Sequence, residues 1–103
     1  MLLEHWQLLE RADGRAVMPL LIQYIRERRL YRTRWAGALQ NAAIPQCLIN
    51  GVKDPISGAS IIKRWRELLP NALVVELQDV GHYPQWEDPE RVLAAVMQFL
   101  RAP

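Results

Sequence analysis

The chain has 103 residues, of which 50% are apolar and 23% are charged, and this composition predicts one globular domain. Its formal net charge of +2 is too small to indicate nucleic-acid binding by itself. One cysteine, Cys47, excludes an internal disulfide framework, and we interpret it as a small buried apolar residue in a reducing compartment.

Signals for a membrane or for secretion are not found in the sequence. The first residues include Glu4, His5 and Glu10, where a signal peptide has a continuous apolar core. No apolar run approaches the roughly 18 residues of a membrane-spanning helix. The sequence therefore predicts a soluble, cytoplasmic protein with no membrane partner.

The N-terminal part, residues 1–43, is predicted to be helical. Apolar residues at helical spacing predict helices over residues 2–11, 15–29 and 33–41. Asp13-Gly14 is expected to end the first helix, and Pro19 to fall in or near the first turn of the second. Thr33 is the candidate N-cap of the third helix.

Residues 44–103 are predicted to form a β-α-β-α unit. The first three elements are expected over residues 45–51, 57–69 and 72–78, and the last helix is expected to begin at Asp88-Pro89. About 20 residues separate the strands, which fits one right-handed crossover and predicts a parallel sheet. The apolar residues expected to be buried by the last helix are Val92, Leu93, Val96, Phe99 and Leu100.

Two polar residues follow the predicted strands where each strand ends. Asp54 lies in GVKDPISG after the first strand, and His82 lies in DVGHYPQ after the second, where Gly81 is expected to allow a sharp turn. The carboxyl ends of neighbouring parallel strands meet at one edge of a sheet, so we expect these side chains to approach hydrogen-bonding distance. Taken singly, such residues are more often turn-formers or solvated side chains. Together they predict a general base oriented by a carboxylate.

Three segments of the chain carry a resemblance to a known enzyme family. They are GVKDP, ELLPNALVVELQDVGHYPQWEDPERV and the upstream YIRERRLYRTRWAGALQNAAIP. Together they resemble the C-terminal end of an α/β-hydrolase, of the capped branch that includes haloalkane dehalogenases and epoxide hydrolases. The resemblance implies that G-x-x-D-P supplies the triad acid, at Asp54, and that G-H-[FY]-P supplies the triad base, at His82. It also implies that residues 1–43 correspond to the return from a helical cap, and that the fold class is α/β, a partial α/β-hydrolase fold.

The nucleophile of such a hydrolase is not found in the sequence. On this fold it stands at a sharp elbow, usually G-x-S-x-G or its Asp variant, beside backbone N–H donors for the oxyanion. The only serines, Ser57 and Ser60, lie at the start of a predicted helix and lack the glycine spacing of an elbow. We therefore expect a C-terminal hydrolase fragment that is inactive alone and whose partner would be a missing N-terminal hydrolase half.

Two other functions stay open at this point. The chain could be a hydrolase that acts with an atypical nucleophile or with a partner chain that supplies the elbow. Alternatively, it could be a small, non-enzymatic binding or interaction module. For none of the three functions do we expect a cofactor or a metal.

The predicted sheet is small and leaves one strand exposed at its edge. Residues 46–50 gain a neighbour on one side only, and a two-stranded sheet is marginally stable alone. We therefore expect the chain to self-associate and so complete the sheet, most simply as a twofold homodimer.

The segment RERRLYRTR, residues 26–34, concentrates positive charge. It holds arginines at positions 26, 28, 29, 32 and 34. Clustered cations beside Tyr31 could bind nucleic acid, but arginines near a helix end also stabilise its dipole and cover apolar surface. Because the hydrolase resemblance includes this segment, we favour the second interpretation. The tryptophans at positions 6, 35, 65 and 86 are expected in a core or interface, with Trp86 of interest because it lies close to His82 in sequence.

Overall fold

The N-terminal helices break where the chain adopts left-handed backbone. In the computed structural model, which describes residues 2–102 (the side chain of Leu2 excepted), Ala12 and Asp13 have φ values of 50° and 57°. The break predicted at Asp13-Gly14 is confirmed, and Gly14 already belongs to the next helix. The elements of this part are α1 Leu2–Glu10, a 3₁₀ turn Arg11–Asp13, α2 Gly14–Leu21, α3 Tyr24–Leu30 and α4 Arg32–Gln40.

The single helix predicted over residues 15–29 is wrong, because α2 and α3 are separate. Pro19 lies in the interior of α2, where it lacks the N–H of a regular helical hydrogen bond. Just beyond it, the Gln23 amide donates to the Leu20 carbonyl at 3.2 Å, which tightens the chain and ends the α-helical pattern.

The predicted N-cap of the third helix is also wrong. Thr33 lies inside α4, which begins at Arg32. The Trp35 amide donates to the Tyr31 carbonyl at 2.9 Å, so the helical hydrogen bonds start before Thr33.

The second half of the chain has the predicted strand and helix order. Its elements are β1 Cys47–Gly51, α5 Ala59–Leu68, β2 Leu73–Leu77, α6 Pro84–Glu87 and α7 Pro89–Arg101. β1 and β2 pair in parallel, with Cys47 opposite Leu73 and Gly51 opposite Leu77. The chain is thus a helix-rich α/β protein with a small two-stranded parallel sheet, and the one-turn helix α6 was not predicted.

The chain divides into two compact units, one up to Ala38 and one from Leu39 onward. The sequence predicted one domain with an internal change at residues 43 and 44. In the second unit the buried apolar residues are Ile62, Leu69, Leu77, Val80 and Ala95. These residues come from α5, β2, α7 and the connecting loops, so the core lies around the sheet.

The prediction that α7 buries Leu93 and Leu100 is wrong. Leu93 is 61% exposed and Leu100 is 69% exposed. These two residues and Met97 recur at helical spacing along one stripe, whereas Ala95, the buried residue of α7, lies on another side of the helix. The helix therefore buries only one of its apolar stripes within this chain.

Two structural findings concern the predictions about membranes and nucleic acids. Within residues 2–102, no helix combines the length and the apolar character that crossing a bilayer requires. The arginine-rich segment 26–34 runs from α3 through a turn at Tyr31 into α4 and is exposed throughout. The Arg28 guanidinium lies 5.9 Å from the centre of the Tyr24 ring. Nucleic-acid binding by this segment stays untested.

Candidate active site

The loops that follow β1 and β2 are tied together at the carboxyl edge of the sheet. The Val52 amide donates to the Leu77 carbonyl at 2.9 Å, and the Lys53 amide donates to the Val80 carbonyl at 3.0 Å. A Cβ on Gly51 would lie 2.2 Å from the carbonyl oxygen of Gly81, so only glycine allows this close approach. Asp54 and His82 are the next residues in the chain after these hydrogen-bonded segments.

Asp54 is held in a tight turn of the first loop. Its Oδ1 accepts a hydrogen bond from the Ile56 amide at 2.8 Å, and its Oδ2 accepts one from the Ser57 hydroxyl. The side chain is only 3% exposed. An aspartate that bonds the backbone two residues ahead forms a compact turn, which fixes the direction of its carboxylate.

The environment of Asp54 favours its ionised form. Burial acts to raise the pKa of this carboxyl, but hydrogen bonds from the Ser57 hydroxyl, the Ile56 amide and His82 outweigh burial and hold the pKa well below its usual range. Asp54 is therefore a permanently charged acceptor at neutral pH.

His82 meets this carboxylate from the second loop. Its Nδ1 lies 2.9 Å from Asp54 Oδ2, and its side chain is 41% exposed. The neighbouring Tyr83 ring stands edge-on to the imidazole, with the ring centres 4.8 Å apart. The structure thus brings together the two site residues that the sequence singled out.

This geometry defines what the imidazole can do chemically. An ionised Asp54 can only accept, so the tautomer that fits this contact has its proton on Nδ1 and donates a hydrogen bond to the carboxylate. Nε2 is then the nitrogen that can accept a proton. A general base oriented in this way is the arrangement that activates a hydroxyl or water nucleophile. The catalytic roles of Asp54 and His82 stay predictions.

Neither serine of the chain is placed as an elbow nucleophile. The Ser57 hydroxyl donates to the same carboxylate oxygen that faces His82, so it supports the acid. Ser60 is exposed on the first turn of α5. Among residues 2–102 there is also no cluster of three or more histidine, cysteine or acidic side chains that could hold a metal ion.

Sequence reasoning missed two side chains that shape the site. The Asn50 amide group donates to the Ser57 carbonyl at 3.2 Å, so β1 is linked to the loop that carries Asp54. The Glu87 carboxylate accepts from the backbone amides of Gly81 and Tyr83 on either side of His82. Both contacts depend on the path of the loop backbone, so no motif in the sequence indicates them.

The chain is similar to parts of two longer proteins. It is 39% identical over 95 residues to "Putative hydrolase LipZ" of Mycobacterium tuberculosis, which is 92% of this chain and 33% of that protein. It is 39% identical over 99 residues to Mesoderm-specific transcript protein of Mus musculus, which is 94% of this chain and 30% of that protein. The chain therefore spans about a third of the length of the curated relatives it matches.

Two further comparisons gave no match. No protein-family profile matches the chain, and no solved structure is significantly similar to it. The resemblance seen in the sequence is thus supported at a coarse level, since over its matched residues the chain is like a fragment of a hydrolase-like protein.

Proposed function

We propose that this chain is the acid–base portion of an α/β-hydrolase-like enzyme, in which Asp54 orients His82 and His82 acts as general base. The nucleophile and the oxyanion donors come from a part of the enzyme that these 103 residues do not include. The observation that carries the proposal is the 2.9 Å contact between His82 Nδ1 and the buried carboxylate of Asp54. The similarity to a protein named as a hydrolase supports it.

The exposed and buried parts of the pair fit the two roles. A triad acid stays ionised and buried behind the ring, while a triad base presents its other nitrogen to the reacting group. Asp54 is 3% exposed and His82 is 41% exposed, at the sheet edge where α/β proteins gather reacting groups. His82 Nε2 would take the proton of a hydroxyl or water nucleophile and later pass it to the leaving group.

The proposal has a direct consequence for the chain alone. A general base without a positioned nucleophile and oxyanion donors lacks the largest sources of rate enhancement in acyl transfer. We therefore expect the isolated chain to hydrolyse generic esters and haloalkanes no faster than its His82→Ala variant does.

A chimera tests the proposal where the missing parts are present. The segment of the LipZ protein that matches this chain is replaced by this chain's own matched residues, and hydrolysis of p-nitrophenyl esters is measured. We expect hydrolysis by the chimera and only background from the isolated chain. A folded, inactive chimera beside an active LipZ protein would count against the proposal.

A further inference from the structure

One carboxylate holds the backbone on both sides of His82. Glu87 Oε2 accepts a hydrogen bond from the Gly81 amide at 2.8 Å, and Glu87 Oε1 accepts one from the Tyr83 amide at 3.0 Å. These are the two residues that flank His82 in sequence. The segment that carries the imidazole is therefore clamped at both ends by a single side chain.

The short helix α6 places Glu87 where it can do this. The Glu87 amide donates to the Tyr83 carbonyl at 2.9 Å, while the Glu87 carboxylate accepts from the Tyr83 amide. The second of these bonds is like one half of a capping box, in which an acidic side chain accepts from the amide of the N-cap residue of its own helix. The next residue, Asp88, accepts from the Arg91 amide at 3.1 Å and so begins α7. Glu87 is thus the last residue of α6 and directly precedes the N-cap of α7, which limits its freedom.

The glycine before His82 leaves room for the clamp. A Cβ on Gly81 would lie 3.1 Å from Glu87 Oε1 and 3.2 Å from Glu87 Oε2, which is closer than a comfortable contact. Among the described glycines none has a positive φ, so the sharp turn expected from Gly81 is not a left-handed conformation. Because glycine has no side chain, the Glu87 carboxylate can come close to the backbone at position 81.

We propose that Glu87 is a positioning residue for His82. By fixing the amides of Gly81 and Tyr83, it keeps Nδ1 against Asp54 and so keeps Nε2 directed at the reacting group. A catalytic ring on a loop needs such support, because a placement error of about half an ångström already impairs catalysis. Only the consequence for catalysis rests on the proposed function, since the clamp itself is a feature of the folded chain.

Nuclear magnetic resonance of the whole chain tests the clamp without any assay of activity. The two histidines, His5 and His82, are labelled with ¹⁵N, and the ring-nitrogen shifts are recorded under alkaline conditions in which imidazoles are neutral. We expect His82 to carry its proton on Nδ1 in the wild-type chain. In Glu87→Gln we expect both tautomers, with exchange of the Nδ1 proton about tenfold faster or more, as the loss of hydrogen bonds to a charged acceptor implies.

Matched variants separate the clamp from a general loss of structure. Glu90→Gln removes a neighbouring acid from the first turn of α7 and should leave His82 unchanged. Gly81→Ala forces the Glu87 carboxylate to move and should cause a partial loss of the Nδ1 tautomer. The double variant Gly81→Ala with Glu87→Gln should be no worse than Glu87→Gln alone, because both changes act through one contact.

Three results would overturn the proposal. One is a Glu87→Gln chain that keeps the single tautomer, and another is full additivity of the two substitutions. The third is a loss of hydrogen-exchange protection at the backbone amides of β1 and β2 that is as large as the loss at His82. An intact clamp together with an inactive chimera would count against the proposed function alone.

Discussion

At the scale of single residues, Asp54 is the most constrained side chain of the site. Its carboxylate accepts from a backbone amide, a hydroxyl and an imidazole while being almost fully buried. Ile56 and Ser57 belong to the same loop as Asp54, so the carboxylate is held by its own loop as well as by His82. Such support suits an acid whose proposed task is to orient a ring.

The lowered pKa of Asp54 predicts how acid affects stability. In the unfolded chain this carboxyl titrates at about 4, and in the folded chain it titrates lower, so the ionised form stabilises the fold above that pH. The contribution is lost as the pH falls below about 4 toward the folded pKa. In urea titrations, the wild-type chain should exceed Asp54→Asn in free energy of unfolding at neutral pH, and the difference should shrink at pH 3. A difference that does not change with pH would contradict this reasoning.

Asp54 also gives a prediction for catalysis in the chimera. An asparagine at this position keeps the shape but removes the charge and can favour the wrong tautomer of His82. We expect Asp54→Asn to lower kcat by about two to four orders of magnitude with little change in KM. Steady-state kinetics on p-nitrophenyl esters measures this, and a change confined to KM would argue for a role in substrate binding instead.

At the scale of elements, β1 has one edge without a strand partner within the described chain. The Leu73 amide donates to the Gln46 carbonyl and the Val52 amide donates to the Leu77 carbonyl. Along a parallel strand, the backbone groups of alternate residues point toward the neighbouring strand and away from it. The groups of Gln46 and Val52 point toward β2, so the amide of Ile49, an odd number of residues from each, points away from β2. An apolar strand with free amides is a template for pairing with another chain.

We propose that this edge causes the chain to self-associate, most simply as a twofold homodimer. Light scattering at micromolar concentration should report a dimer for the wild-type chain. Ile49→Pro removes an amide that β2 does not use and should shift the population toward monomer while the β1–β2 ladder persists. A wild-type chain that is monomeric under these conditions would refute the proposal.

The elements also show why sequence reasoning succeeded in some places and failed in others. The crossover from β1 through α5 to β2 was readable from apolar runs, and it brings Asp54 and His82 to the same sheet edge. The split between α2 and α3 was missed because Pro19 was expected in or near the first turn of one long helix, whereas it lies in the interior of α2. The clamp by Glu87 was missed because it depends on the one-turn helix α6, which leaves no periodic pattern in four residues.

At the scale of the whole molecule, the chain is like a fragment of a longer, hydrolase-like protein. It matches about a third of each relative, and its Asp54–His82 pair is formed within a two-stranded sheet. Leu93 and Leu100 of α7 were predicted to be buried, but both are exposed. The prediction failed because periodicity identifies an apolar face of a helix but not what covers that face. The proposed hydrolase fragment would explain both the Asp54–His82 contact and the lack of an elbow motif in the sequence.

The most direct test of this account is the ratio of ester hydrolysis rates between the LipZ chimera and its His82→Ala variant. If His82 is the general base, the substitution should lower kcat by about three orders of magnitude or more. The matched change Ser60→Ala, on an exposed serine of the same chain, should leave the rate unchanged. Equal rates for the chimera with and without His82 would contradict the claim that this histidine serves as the base.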